Sequence, residues 1–391
     1  MSIKLWRVLA LVFAFVLVAS ACGSDDDDDG GSEDTPADDS GGDEAPADDG
    51  GTEAPEDDGE ATDTTDEVEL VQGDSTLDAV QAAGVVRCGT RDALRGFAFV
   101  DPDTGERAGF DNDFCGVIAA AVLGDASATE FVDVETADRF TQLQSGEYDV
   151  LVRNTTFTAS RDGVEGATFL QPNYYDGQRM MVAADSGFSS IADMDGAVIC
   201  SAGGTTSEGN IANEATRLGI SLEVLSFEDT ALLQEAFLAG RCDGWTSDGS
   251  QLVGLRSDYP DGADSLVILE DVVSKEPLAP AVRDGDPAWA SAIDWAIYAT
   301  IQAEEWGITS ANIDDFLTSE DPNILQWLGV EVDGAVLDPG LGLAPDFNYQ
   351  VVSQVGNYAE IFDRHLTPLG IERGLNALYT DGGLQYAPPY K

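Results

Sequence analysis

Residues 197–248 read AVICSAGGTTSEGNIANEATRLGISLEVLSFEDTALLQEAFLAGRCDGWTSD, and their rhythm decides the fold. Ala197–Cys200 is a short apolar run, a strand. Thr206–Leu218 has helical spacing, and Gly219 stops it. Leu222–Leu225 is again a strand, Ala231–Leu238 a helix stopped by Gly240, and Gly244–Thr246 a third strand. Strands alternating with short helices build a parallel α/β sheet. The same theme occurs upstream. Gly84–Gly89 is a strand, Asp111 can cap a helix carrying Phe114, Val117, Ile118 and Val122, and Phe131–Val134 is a strand. A helix over Ala137–Gln144 ends before Gly146, and Tyr148–Val152 is a strand; Met180–Ala183 opens the second block. Two α/β blocks predict two lobes with a cleft between them.

Beyond the second block, Asp286-Pro287 is a cap followed by proline at the first helical position. Trp289, Ile293, Ile297 and Ile301 then repeat every four residues, a core-facing stripe, and the Trp residues read as packing. Further helical segments are expected around Ile324–Leu328, Tyr349–Leu366 and Ile371–Leu378.

The chain starts differently. Residues 1–7 are short and basic, and Val8–Ala21 is a 14-residue apolar run, too short to span a bilayer and right for a signal sequence. It ends in small residues before Cys22. That arrangement resembles a bacterial lipobox, which implies cleavage and acylation of Cys22; a plain secretory signal cut near Ala21 is the alternative. The residues up to about 76 are Asp, Glu, Gly, Pro, Ala, Ser and Thr almost throughout. They have too little apolar surface to offset ordering entropy, so a disordered acidic tether is expected.

Charge sorts the partners. Of the formal −56, residues 1–22 contribute +2 and residues 23–70 contribute −22, so residues 71–391 carry −36. Such a surface repels nucleic acid and itself, and salt screening favours it, which predicts a saline habitat. A single His excludes His-cluster metal sites, no C-x-x-C occurs, and no Walker motif is present. Neither a metal nor another cofactor is expected. Apart from Cys22, four cysteines remain and allow three pairings. Cys88–Cys115 with Cys200–Cys242 is the expected set, since each pair closes a local loop.

Several words carry a family resemblance: RNTTFTASRD (153–162), NYYDGQ (173–178), GRCDGWTSD (240–248), SKEPLAPAVRDGD (274–286), AEEWGITSANID (303–314), VGNYAEIFDR (355–364) and GLNALYTDGGLQYAPP (374–389). From about residue 78 to the C-terminus the chain closely resembles the substrate-binding proteins of general L-amino-acid ABC transporters, within the polar-amino-acid group of periplasmic binding proteins. The resemblance implies a two-lobe α/β fold of type II with two hinge crossovers. Its parts would be a signal peptide (1–21), the linker (22–76), lobe 1 (77–179), lobe 2 (180–273), and a return to lobe 1 with a C-terminal helical extension (274–391). It implies a monomer that holds a free amino acid between its lobes, presents it to an ABC permease, and stays on the membrane through its lipid. The other classes weighed are a ligand-binding sensor subunit and a dehydratase-like enzyme on the same fold.

A buried zwitterion needs a fork of donors facing a carboxyl acceptor. Arg161 stands five residues after the last Thr of the Asn-Thr-Thr word, where the family holds its carboxylate-binding Arg. Its guanidinium can give two parallel bonds. Thr206 and Thr156 are further carboxylate partners. Thr206 lies in a Gly-rich loop at a helix start, where backbone N–H groups attract anions, and capping by Thr205 or Thr206 can coexist with binding. Asp248 is the ammonium partner implied by the resemblance, with Asn154 and Thr156 beside it; its alternative role is to cap the next helix. Arg91, Leu94, Phe97, Arg153 and Thr205 form the expected side-chain pocket. Arg91, where relatives carry a non-basic residue, could bias it towards acidic or polar ligands; its alternative roles are a solvated loop residue or a partner of Asp92. Glu208, the candidate acid for an enzyme, reads as a dipole-stabilising residue.

Overall fold

The computed structural model describes residues 75–228 and 230–391. The expected signal sequence, Cys22 and the acidic linker up to Asp74 lie outside the described residues. Helix α1 (Thr76–Ala83) comes first among the described residues, capped by Ser75. Asp286 fixes this start by accepting the Thr76 N–H at 2.6 Å and the Ser75 hydroxyl at 3.2 Å.

The chain then runs through β1 (Val86–Thr90) and a small antiparallel ribbon, β2 (Ala93–Leu94), β3 (Ala98–Val100) and β4 (Arg107–Ala108). There follow α2 (Phe110–Leu123), β5 (Thr129–Asp133), α3 (Arg139–Ser145), β6 (Val150–Leu151), α4 (Ala159–Val164) and β7 (Ala167–Phe169). A second set comprises β8 (Tyr174–Ala183), β9 (Val198–Ala202), α5 (Thr206–Leu218), β10 (Glu223–Phe227), α6 (Thr230–Leu238), β11 (Gly244–Asp248), α7 (Gly249–Ser257) and β12 (Leu266–Ile268). β13 (Lys275–Leu278) and β14 (Ala281–Arg283) lead to α8 (Pro287–Glu305), α9 (Ile313–Phe316), α10 (Pro322–Trp327), α11 (Phe347–Gln354) and α12 (Tyr358–His365).

Two main sheets result, ordered β5-β1-β6-β14-β7 and β10-β9-β11-β8-β12. β5, β1 and β6 are parallel, as are β10, β9 and β11. The chain passes between the sheets twice, from β7 into β8 and from β13 into β14. The crossovers run side by side, because β13 pairs antiparallel with β8, Leu278 opposite Tyr174. The fold is thus the two-lobe, periplasmic-binding-protein type. The carboxyl ends of β6, β9 and β11 meet at one crevice, the place where open α/β sheets bind ligands.

The lobe 1 core is built on α2 and α8. Trp289, Ile293, Ile297 and Ile301 are all buried, as the stripe predicts, and Trp289 Nε1 donates to the Asp149 carbonyl at 2.9 Å. Disulfides join Cys88 to Cys115, tying β1 to α2, and Cys200 to Cys242, tying β9 to the turn before β11.

Some elements differ from the sequence reading. Gly109, not Asp111, is the residue before α2; Asp111 lies in the first turn and serves the cleft. The helix expected over Tyr349–Leu366 is two. Gly356 takes a φ of 108°, and Asn357 opens a new helix in a capping box with Glu360. Ile371–Leu378 holds only a single turn, Gly374–Asn376. The Asn376 side chain mimics backbone there, accepting from Tyr175 N at 2.7 Å and donating to Tyr175 O at 3.0 Å. β8 is longer than expected because the polar Asp176-Gly177 stretch pairs with β13 and Gln178 pairs with Asp248 of β11.

Candidate functional site

On the lobe 1 wall the chain leaves β6 and turns sharply. Asn154 takes a φ of 23°, a left-handed value that Asn tolerates better than most residues. Asp111 holds that turn, accepting the Asn154 N–H at 3.1 Å. Thr156 bridges to Leu278 on the hinge strand. Thr158 caps α4 by accepting the Arg161 N–H at 3.2 Å. Arg161 therefore sits in the first turn, and its side chain folds back to the cleft. Nη1 donates to the Thr156 carbonyl at 2.8 Å, and Nη2 reaches the Gly204 carbonyl of lobe 2 at 3.4 Å. Burial lowers the pKa of this guanidinium, while Glu276 and Asp248 act in the opposite sense.

The lobe 2 wall is the loop between β9 and α5 together with the end of β11. Thr205 caps α5, accepting the Glu208 N–H at 3.3 Å, and its hydroxyl donates to the Ala202 carbonyl at 2.6 Å. Thr206 donates to Glu276 Oε2 at 2.8 Å and lies 3.5 Å from the Thr156 hydroxyl across the cleft. The Glu208 carboxylate accepts from Gly204 N at 3.2 Å, so it closes its own loop. Asp248 precedes α7 but makes no side-chain capping bond. Instead it faces the cleft, accepting from Asn154 Nδ2 at 3.3 Å. It is 6% exposed. Burial, then the nearby Asp176 and Glu276 carboxylates, push its pKa well above the usual range. Such a group gains most from a cation placed beside it.

Two more arginines enter from lobe 1. Arg153 is pinned to its own lobe by Nε to the Val134 carbonyl at 2.8 Å and Nη2 to the Thr136 hydroxyl at 2.9 Å. Burial, then repulsion from Arg91, bring its pKa down to about 9. Arg91 makes only longer bonds, to Asn154 Oδ1 at 3.3 Å and across to Thr230 at 3.5 Å, and its Nε is buried without a partner. Between these arginines and Asp248 the lobes leave a cavity of about 20 Å³, room for about one water molecule.

Arg91, Arg153, Asn154, Thr156, Arg161, Thr205, Thr206 and Asp248 all line this one cavity. Leu94 and Phe97 do not. The ribbon turns them into the core, where both are buried and Phe97 packs on Phe110 and Tyr174 at ring separations of 5.9 and 5.3 Å. Sequence reasoning missed Arg139 and Gln251, which also line the cavity. Gln251 accepts from Asn154 Nδ2 at 3.0 Å. Its position one helical turn after Asp248 was the available signal. Among the described residues no cluster of His, Cys, Asp and Glu is placed to hold a metal ion, and no helix is long and apolar enough to cross a membrane.

Residues 86–311 match the model of the bacterial extracellular solute-binding proteins, family 3. The general L-amino acid-binding periplasmic protein AapJ of Rhizobium johnstonii is 44% identical over 320 residues, covering 81% of this chain and 93% of its own. The glutamate/glutamine/aspartate/asparagine-binding protein BztA of Rhodobacter capsulatus is 44% identical over 321 residues, 81% of this chain and 94% of its own. A solved ABC transporter periplasmic binding protein from Brucella ovis, with glutathione bound, is 41% identical with a TM-score of 0.78, covering 81% of this chain and 99% of its own. Its two-lobe architecture and these likenesses along four fifths of its length agree: the chain belongs to the bacterial extracellular solute-binding proteins, family 3.

Proposed function

We propose that this protein captures free L-amino acids outside the cytoplasm and delivers them to an ABC permease, without catalysis. The observation that carries this is the facing of opposite charges from different lobes. Arg161 comes from lobe 1 and Asp248 from lobe 2, both buried at one small cavity. Arg161, with Thr156 and Thr206, holds the α-carboxylate; Asp248, with Asn154 and Thr156, holds the ammonium. Arg91, Arg153 and Thr205 lie along the ligand side chain. A zwitterion held this way joins the lobes, so it stabilises the closed form by its differential affinity for that form. The family membership and the names of the relatives support the amino-acid class. Acylation of Cys22 would keep the monomer at the membrane where its permease is.

Titration calorimetry with L-Ala, L-Gln and L-Glu tests this reading. Arg161→Ala or Asp248→Asn should weaken binding by about 100-fold or more, since each leaves a buried charge on the ligand unpaired. Affinities unchanged by both substitutions would overturn it.

A further inference from the structure

We propose that Arg139 is a second carboxylate-binding residue of this cleft, and that Arg139 and Arg161 form one seat for the ligand α-carboxylate. The inference rests on the amino-acid reading above and adds a residue and a geometry to it. Arg139 opens α3, yet it is only 3% exposed, because the end of β6 brings that helix start against the crevice. Its Nη2 donates to the Gly204 carbonyl at 3.3 Å. The Nη2 of Arg161 donates to the same oxygen at 3.4 Å. Two guanidinium groups from one lobe thus converge on a single oxygen presented by the other.

A neutral carbonyl is a poor match for two buried cations. It has two lone pairs and no charge, whereas a carboxylate offers about four lone-pair sites and a full negative charge. The mismatch is visible at Arg139, whose Nε is buried without a partner. Burial, then repulsion from Arg161 and Arg153, lowers its pKa well below the ordinary value. A ligand carboxylate at the Gly204 carbonyl position would accept from both forks and leave an oxygen for the unpaired N–H.

Gly204 belongs to lobe 2, so its carbonyl leaves that position when the lobes part. Gly204 holds a φ of 69°, in the left-handed region that glycine adopts without strain, and Gly203 precedes it. The Gly204 carbonyl therefore serves as a stand-in for the ligand, giving way as the carboxylate arrives.

Calorimetry and thermal melting of Arg139→Gln and Arg139→Lys test this, with L-Ala, L-Gln and L-Glu as probes. Arg139→Gln should weaken all three by a similar factor of about 10 to 100, because the α-carboxylate is common to them. Arg139→Lys, which keeps the charge but not the fork, should lose less. Without ligand, Arg139→Gln should melt at or above the wild-type temperature, since a repelling cation has gone, while its ligand-induced rise shrinks. A loss confined to L-Glu would make Arg139 a side-chain contact and overturn the proposal. So would unchanged affinity, or a lowered unliganded melting temperature with unchanged affinity. Wild-type protein that binds none of the three would overturn the amino-acid reading as well.

Discussion

Arg91 and Arg153 enter the cleft as neighbours but differ in freedom. Arg153 has two short bonds inside its own lobe, so it acts as part of the wall. Arg91 has two long bonds and an unpaired Nε, so it is the one able to turn to a ligand side chain. Arg91→Met should therefore lower affinity for L-Glu about tenfold or more beyond any effect on L-Gln, a difference that calorimetry reads. Arg153→Met should instead lower the melting temperature, at a cost of about 1–3 kcal/mol for the orphaned Val134 and Thr136 groups. Equal losses for Glu and Gln with Arg91→Met would remove the idea of an acidic preference. At this scale the sequence was legible where words carried meaning: Arg161, Thr206 and Asp248 all line one cavity. Arg139 was not legible. It lies in a stretch with no distinguishing motif, and only the packing of α3 beside β6 turns it inward. Leu94 and Phe97 failed for the opposite reason. Their position after β1 was right, but apolar side chains went to the core, leaving the cleft to the guanidinium of Arg91.

Helix α7 of lobe 2 packs directly on lobe 1. It starts just after Asp248 on the cleft wall and runs on to meet the lobe 1 ribbon. At Gly254 the backbones nearly touch: a Cβ there would lie 2.6 Å from the Arg95 carbonyl and 3.1 Å from Leu94 Cδ1. Arg95 also pairs with Asp258 at the end of the helix, but both side chains are largely exposed, so this bond adds little. The close approach matters more. Gly254→Ala should hold the lobes apart, costing the closed form about 1–3 kcal/mol and weakening amino-acid binding about 5- to 150-fold. The clash belongs to the interface and not to either lobe, so melting without ligand should change much less than binding. Unchanged affinity would show that α7 does not limit closure. Most such elements were readable from periodicity and stop signals. α5 begins and ends where Thr206, Leu218 and Gly219 place it, and α8 follows its Asp-Pro cap. The C-terminal part read less well. Its break at Gly356-Asn357 carried a capping-box signal that a run of apolar residues masked, and the Asn376 turn depends on a partner, Tyr175, two hundred residues away.

Across the molecule, charge acts through two routes that point the same way. The surface of residues 71–391 carries −36, with Lys275 and Lys391 as its only lysines, so close packing of like charges opposes the folded state. Raising NaCl from about 0.01 M to about 1 M shortens the screening length from roughly 30 Å to 3 Å, and the melting temperature should rise with it. The second route is burial. Asp111 has its pKa pushed up to about 6, and burial also raises Asp176, Asp248 and Asp294. A carboxyl group whose folded pKa lies above its unfolded value binds protons more tightly when folded. Its ionisation therefore costs stability as pH rises through the folded pKa, and that stability returns on acidification towards the unfolded value. For Asp111 the window is about pH 4 to 6, and the effect is on the order of 2–3 kcal/mol. Asp101, Asp125 and Asp193 run the other way, held below the usual range by hydrogen bonds, so their contribution is lost only at still lower pH. Unliganded protein should thus melt higher at pH 5 than at pH 7 and lose stability again below about pH 4. Surface carboxylates ionise near pH 4 and stay largely charged at pH 5, so the gain from NaCl should be similar at pH 5 and pH 7 and add to the gain from acid. A melting temperature indifferent to NaCl at pH 7 would mean that the acidic surface imposes no cost on folding, and the saline habitat read from it would lose its basis.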